Sequence, residues 1–407
     1  MKIAMVVDAY NKGNGGCVAT MRLVEGLKKR GHEFNIVATK SLEKKNFFPV
    51  KGFYMPGTEE SQANMDFQFG LADKNVLRKA FSDVDLVQIQ FPFFLGHGAA
   101  KIARSMKKNV IGAYHVQPQN ILGAMGKESR FFEFVIGKLF NFFLFNRVPL
   151  TQCPSQFAAD HLRKSGCRKT LKVVSNGIPA DYAAKKHARP KWFGDKLVLM
   201  NVGRHALEKR QTLLVEGVKR SKYADKIQLL LCGKGEMSET LIKNGAELPV
   251  KPFVQYVTHE EKLEYLNTAD LYVHASMVEL ESLSCLEAIG CGLPCLIGDS
   301  RYSAAPQFAL DKRFIFTFDD ADSLAAKIDY WYEHRGELKT SRKKALEMAE
   351  KYRFEKCLDE MEAMYAEVLR TSKYAKQLPN SGGAGVLAPE AGTQQFHHTT
   401  RGGKKGR

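Results

Sequence analysis

No stretch of this chain approaches the run of about 20 apolar residues that a helix needs to cross a bilayer, so a spanning protein is not expected. The start is equally short of a leader's features. "MKIAMVVDAY" meets an acidic residue at once and runs into a glycine loop, which argues against a signal peptide. The eight cysteines, Cys17, Cys153, Cys167, Cys232, Cys285, Cys291, Cys295 and Cys357, contain no C-x-x-C pair, and the tightest group (285, 291, 295) lacks zinc-ligand spacing. Buried, reduced thiols are expected, with no bound metal. Nor is the first glycine loop a G-x-G-x-x-G, and no acid ends the second strand, which removes the dinucleotide fingerprint.

What is present is length and positive charge. At 407 residues the chain exceeds one ordinary core and suits two. Sixty-one Lys and Arg against 44 Asp and Glu leave a formal charge of +17, a field that attracts polyanions: nucleic acid, anionic lipid or phosphorylated small molecules. Charge alone does not choose among them. No basic cluster with stacking aromatics forms a nucleic-acid reading module, so nucleic acid is not an expected partner.

Strand-like and helix-like segments alternate from the N-terminus, the pattern of an α/β protein with parallel sheets. Strands are expected at "KIAMVVD", "FNIVAT", "LVQIQF", "NVIGAYH", "LTQCPS" and "KVVSNG". After a polar stretch, "PADYAAKKHARPKWFGDK", the alternation restarts with "LVLMNVGR", "IQLLLCGKG", "FVQYV", "LYVHAS" and "PCLIGD". The expected architecture is two doubly wound, Rossmann-like domains facing each other across a cleft: residues 1–178, a linker over 179–196, and 197–338. Helices over 339–371 are expected to pack back on the first domain, and 372–407 reads as a disordered basic tail.

Several strand ends carry chemistry. Gly15 and Gly16 follow the first strand and open a helix, as a ligand-facing loop or a tight structural turn would. In "NVGRHALEKRQ", Gly203 ends a strand, and Arg204 and Lys209 follow where a helix begins. Basic residues oppose the helix dipole there, which favours a bound diphosphate over a solvated helix start. "LCGKGEMSE" repeats the design with Gly233 and Lys234, and Phe253 and Val254 are placed to line a base. In "MVELESLSCLEAIGCGLP", Glu279 is expected in a loop beyond a strand and Glu287 inside the next helix, both facing one ligand. Carboxylates suit the vicinal hydroxyls of a hexose and a ribose, and the amides of Leu280, Ser282 and Leu283 suit the phosphate between them. Glu281 either meets the ligand or faces solvent, with solvent the first expectation.

The spacing of Glu279 and Glu287 before "AIGCGLP" resembles the E-x7-E signature of family 4 retaining glycosyltransferases of the GT-B fold. Arg204 and Lys209 resemble that family's G-R-x-x-x-x-K element, and "SNGI" its P-N-G-V/I segment before the linker. The likeness extends over about residues 1–370. It implies that Glu279 holds sugar hydroxyls, Glu287 the nucleotide ribose, and Arg204 and Lys209 the diphosphate of a UDP-sugar donor. It implies that His115, in "AYHVQP", lies near the sugar and that Gly15 and Gly16 lie near the reacting centre. Fixed cations would replace a divalent metal, with no cofactor and with retention of anomeric configuration. Where the family has E-G-F-G, this chain has Glu279, Leu280, Glu281 and Ser282, which leaves the sugar open.

The segment "ESRFFEFVIGKLFNFFLFNRV" is rich in aromatic residues, and Glu133, Lys138 and Asn141 prevent a spanning reading. It reads either as a helix lying in a membrane interface, through Phe131, Phe132, Phe140 and Phe143 with Lys138 and Arg147 near headgroups, or as a helix buried against the first sheet. "LEKKNFFPVKGFYM" tips the balance towards an anionic membrane surface on the cytoplasmic face. "IQFPFFLGHGAAKIA", "YHVQPQNI" and "ELESLSCLEAI" are similar to segments of bacterial diacylglycerol glucosyltransferases. That resemblance implies a lipid acceptor and UDP-glucose. A glycan acceptor is the alternative, and a non-catalytic nucleotide-sugar-binding or nucleic-acid-binding protein is the alternative class.

Overall fold

A computed structural model describes residues 1–41, 45–57, 59–64, 66–124, 129–372 and 374. The tail expected to be disordered therefore lies outside the described residues, apart from 372 and 374.

The first domain is built on a seven-stranded sheet: β1 (Lys2–Val6), β2 (Glu33–Ala38), β3 (Phe47–Pro49), β4 (Leu86–Ile89), β5 (Asn109–Ala113), β6 (Leu150–Cys153) and β7 (Thr170–Val173). All its pairings are parallel, in the order β3-β2-β1-β4-β5-β6-β7. The second sheet has six strands: β8 (Leu197–Val202), β9 (Ile227–Cys232), β10 (Phe253–Gln255), β11 (Leu271–His274), β12 (Cys295–Gly298) and β13 (Ile315–Phe316). It is also parallel, in the order β10-β9-β8-β11-β12-β13. In both sheets the order reverses beside the first strand, which opens a crevice at the carboxyl ends of the strands.

Strand burial explains the near-continuous apolar runs in the sequence. Helices cover both faces of a parallel sheet, so β9 is buried along its whole length rather than alternating. Helix α1 (Gly15–Lys29) begins at Asn14, whose side chain accepts from the Cys17 amide, and ends in Lys28 and Lys29 before the left-handed Gly31. Its buried Cys17, Met21, Val24 and Leu27 form one stripe against the sheet.

The other helices that position the site are α2 (Arg130–Phe140), α3 (His259–Thr268), α4 (Leu283–Gly290), α5 (Leu338–Ala349) and α6 (Phe354–Thr371). Of the C-terminal helices expected to return to the first domain, only α6 does so. Its Leu358, Met361, Met364, Tyr365 and Val368 join the first core, and the Tyr365 hydroxyl donates to Gln88 Oε1. Helix α5 stays on the second domain, where Ala345 and Ala349 pack in the second core and Leu346 lies beneath Gly292. Five buried apolar side chains at about 1.5–3 kcal/mol each are a large anchoring term for the returning helix. The crossing is stitched by backbone bonds, Ile178 N to Tyr352 O at 2.7 Å and Phe354 N to Ile178 O at 3.1 Å. Gly177 is left-handed there, and a Cβ on it would stand 2.8 Å from the Phe354 ring.

All eight cysteines are free and buried, as their spacing implied. No helix among the described residues is long and apolar enough to cross a membrane.

Candidate active site

Loops at the ends of β8, β9 and β11 form the second domain's side of the cleft. After Gly203, Arg204 pairs with Glu208 at 2.5 Å, and a turn over Leu207–Lys209 brings Lys209 Nζ to 2.6 Å from Glu279 Oε1. Glu279 does not lie in an open loop. It belongs to a short strand, Val278–Glu279, paired with Tyr302–Ser303, and the Met277 amide ties this strand to Glu208 O at 2.8 Å. Burial disfavours both charges of the Lys209–Glu279 pair, but their mutual attraction outweighs it, so the lysine pKa is raised and the carboxyl pKa lowered. His274, the last residue of β11, is buried with Nε2 3.6 Å from the same Glu279 oxygen.

Gly233 is required by close packing, because a Cβ there would sit 1.9 Å from Gly203 O. Lys234 Nζ stands 5.5 Å from the centre of the Tyr256 ring. Phe253 and Val254 are half-buried in β10, and the Phe253 ring stacks on Trp192 at 5.7 Å.

The segment from Leu280 to Ser282 differs most from expectation. Glu281 does not face solvent: it is 3% exposed, and its Oε2 accepts from Asn176 N at 2.9 Å and Asn176 Nδ2 at 2.8 Å. The reason is that Leu280 plugs into the first domain's core while Ser155 Oγ donates to Leu280 O at 2.5 Å, which draws the following residue into the interdomain seam. Burial pushes the Glu281 carboxyl up to about 7 despite the Asn176 hydrogen bonds. Ser282 caps α4 with φ +83°, and the helix opens at Leu283.

Inside α4, Glu287 is 6% exposed and held by two cations. Arg22, on α1 of the first domain, reaches Oε1 at 2.5 Å, and Lys262, on α3, reaches Oε2 at 3.1 Å. Lys262 also donates to the Tyr182 hydroxyl at 2.5 Å. Burial opposes the Glu287 charge, but Lys262 and Arg22 hold its pKa below the usual carboxylate range.

On the first domain's side, Gly15 and Gly16 start α1 beyond the end of β1, and His115 follows the end of β5. A Cβ on Gly16 would lie 3.0 Å from the Phe91 ring and 3.2 Å from His115 Cβ, whereas one on Gly15 would meet only open space. Burial pushes His115 down to about 4, so its imidazole is neutral at pH 7. His115 also borders a cavity of about 20 Å³, shared with Thr20, Gln152, Asn176 and Cys357, that has room for one water molecule.

The aromatic segment is amphipathic. Phe131, Phe132, Phe134 and Phe142 are 53–69% exposed. Phe140, expected on the membrane side, is instead 5% exposed and packs on Phe93 at 5.9 Å, because helical periodicity turns it to the core together with Leu144. Phe143 is half-buried, edge-on to His97 at 5.2 Å. Lys138 stands 5.1 Å from the Phe134 ring and Arg147 4.7 Å from the Phe142 ring. Glu133 reaches across to the second domain, where the Tyr302 hydroxyl donates to it at 3.0 Å.

One domain thus carries two cation-bearing strand ends, and the other a glycine helix start beside a neutral histidine. Two family models match these halves back to back, Glycosyltransferase Family 4 over residues 13–182 and Glycosyl transferases group 1 over 183–351. The chain is a family 4 glycosyltransferase of the GT-B fold. By class it is a hexosyltransferase.

The glycosyltransferase is 24% identical over 330 residues to alpha-monoglucosyldiacylglycerol synthase of Streptococcus pneumoniae, covering 74% of this chain and 72% of that protein. Over 38% of its length it is 39% identical to the catalytic domain of cholesterol-alpha-glucosyltransferase from Helicobacter pylori, 99% of which is covered, with a TM-score of 0.36. Anabaena HepE, solved in complex with UDP-glucose, is 17% identical with a TM-score of 0.68, covering 91% of this chain and all of that one.

Lys209 and Glu279 come together directly, as do Gly16 and His115, while Glu287 stands in a separate buried cluster. Sequence reasoning missed His274, Arg22, Lys262 and Tyr182. Arg22 sits among the apolar residues of α1 with no motif to mark it, and His274 reads as an ordinary strand residue. Among the described residues, no His, Cys, Asp and Glu side chains group as a metal site.

Proposed function

We propose that this glycosyltransferase moves a hexose, most simply glucose, from a UDP-sugar to a lipid hydroxyl such as that of a diacylglycerol, with retention of anomeric configuration, at the cytoplasmic face of a membrane. The observation that carries the lipid acceptor is the exposed face of Phe131, Phe132, Phe134 and Phe142, flanked by Arg130, Lys138 and Arg147. Such a face suits a helix lying in a headgroup layer, with rings in the apolar boundary and cations at the phosphates. It abuts the cleft through Glu133 and Tyr302, and an open hollow of about 370 Å³ lies between them, lined also by Pro118, Phe134, His161 and Arg301. The pneumococcal relative is named for a glucosyl diacylglycerol product, and HepE for its UDP-glucose complex, which support the same acceptor and donor.

In this reading the sugar hydroxyls fall to Glu279, held ionised by Lys209, and the ribose to Glu287. Arg204, Lys209 and the α1 and α4 N-termini face the diphosphate, whose negative charge grows as it leaves. Neutral His115 serves the sugar as a hydrogen-bonding group rather than a cation. These fixed charges take the part a divalent metal would otherwise play, and no cofactor is required.

The test is transfer of label from UDP-glucose, UDP-galactose or UDP-N-acetylglucosamine into anionic vesicles containing diacylglycerol, without added metal. Labelled lipid from one donor is the expected result. Donor hydrolysis without labelled lipid would move the acceptor to a glycan, and no turnover of any donor would remove the UDP-sugar assignment.

A further inference from the structure

Glu279 has a second neighbour besides Lys209, and no motif points to it. His274 ends β11 and is 3% exposed, with Nε2 3.6 Å from Glu279 Oε1, an ion-pair contact longer than a hydrogen bond. The ring lies nearly parallel to Tyr272, 6.1 Å away at 24°, and the Tyr272 hydroxyl is itself fixed by Val202 O at 3.1 Å. Among the described residues neither ring nitrogen of His274 has a hydrogen-bond partner, and Cys285, in the first turn of α4, accepts at its carbonyl oxygen from the Cys295 thiol of β12 at 3.9 Å. Other charged groups near the pair are Glu208 and Arg204 of the β8 loop. The imidazole thus lies between the Tyr272 ring and the Glu279 carboxylate. Burial works against its charge, but Cys285 and Glu279 outweigh burial and raise its pKa.

We propose that His274 is a positioning residue for sugar transfer: packed beside the short strand Val278–Glu279, with its ring 3.6 Å from the carboxylate, it keeps the Glu279 side chain aimed into the cleft. This rests on the reading of Glu279 as the group that takes the sugar hydroxyls. A carboxylate held only by Lys209 is free to swing with that flexible side chain. A rigid ring on the adjoining strand limits that freedom, and in its protonated form it sets a second cation beside the carboxylate.

The experiment compares wild type with His274→Gln and Glu279→Gln, measuring kcat/KM for UDP-glucose from about pH 3.5 to 9, so that the low Glu279 titration falls inside the range, and UDP binding by calorimetry. Replacing a protonated imidazole by a neutral amide would raise the Glu279 pKa. The acid limb of kcat/KM in His274→Gln therefore moves to higher pH, by on the order of 1 unit, while UDP affinity stays within about twofold because UDP carries no hexose. A second readout leaves His274 in place: in ¹⁵N-histidine-labelled protein, Glu279→Gln removes the imidazole's anionic neighbour and moves one histidine titration to lower pH. An acid limb that coincides with wild type, or no histidine titration that moves, would overturn the proposal. If Glu279→Gln itself leaves kcat/KM unchanged, the sugar-binding reading fails. If only the His274 results are flat, that reading stands and the positioning role alone is lost.

Discussion

Two neighbouring side chains at the seam, Glu281 and Ser282, occupy positions where the family motif has phenylalanine and glycine. The Glu281 carboxyl rises from its ordinary 4.5 to about 7 because burial costs its charge more than Asn176 returns. Between those values the folded chain binds more protons than the unfolded chain, so stability falls as pH rises through that window and is lowest above about pH 7. Glutamine keeps an oxygen for Asn176 and carries no charge. Glu281→Gln is therefore expected to match wild type near pH 4.5 and to exceed it by about 3 kcal/mol above pH 7, read by urea unfolding across pH. A difference that does not vary with pH would mean that the Glu281 carboxyl titrates in the native seam as it does in the unfolded chain, which would overturn its raised pKa.

Ser282 holds φ +83°, a region that suits glycine, in exchange for a long 3.4 Å cap to the Cys285 amide. Relief of such strain is worth on the order of 1 kcal/mol and loss of a weak cap only tenths, so Ser282→Gly should raise the unfolding midpoint. A lower midpoint would show that the serine hydroxyl matters more than the backbone.

At the scale of elements, α2 divides its phenylalanines between solvent and core. Phe131→Ser with Phe132→Ser should leave stability within about 0.5 kcal/mol and weaken sedimentation with anionic vesicles severalfold. Phe140→Ala should cost about 3–5 kcal/mol instead, since the ring is buried on Phe93. Equal vesicle binding by the doubly substituted protein would remove α2 from the membrane reading. The same helix shows what was legible in the sequence. Its composition announced an unusual surface, but composition does not phase a helix, so Phe140 was placed on the wrong side. The parallel strands were legible because buried strands read as continuous apolar runs, and Glu279, Glu287, Arg204 and Lys209 could be singled out as candidates because their spacings are short and local. His274, Arg22 and Lys262 were not, since each acts on a carboxylate brought near by the fold. Arg22 and Glu287 are 265 residues apart in the chain. Glu281 was misplaced for a related reason: its burial depends on Leu280 entering a core formed by the other domain.

At the scale of the whole molecule, the contacts that bridge the cleft among the described residues include Arg22 on Glu287, Asn176 on Glu281, Ser155 on Leu280, Gln117 on Tyr302 and Tyr302 on Glu133. The first of these occupies the carboxylate assigned to the donor's ribose. A ribose that hydrogen-bonds to Glu287 must share or displace the guanidinium, so nucleotide binding and this bridge oppose each other. Arg22→Met removes the bridge but leaves Lys262 to neutralise Glu287, which limits the loss of stability below the roughly 3–5 kcal/mol of a fully orphaned buried charge. Removing a competitor raises the binding-competent fraction, so Arg22→Met is expected to bind UDP several times more tightly than wild type while unfolding at lower urea. Calorimetry with UDP decides the point. Weaker binding by the variant would mean that Arg22 and the ribose share Glu287 in one arrangement, with the arginine as part of the donor site rather than its rival.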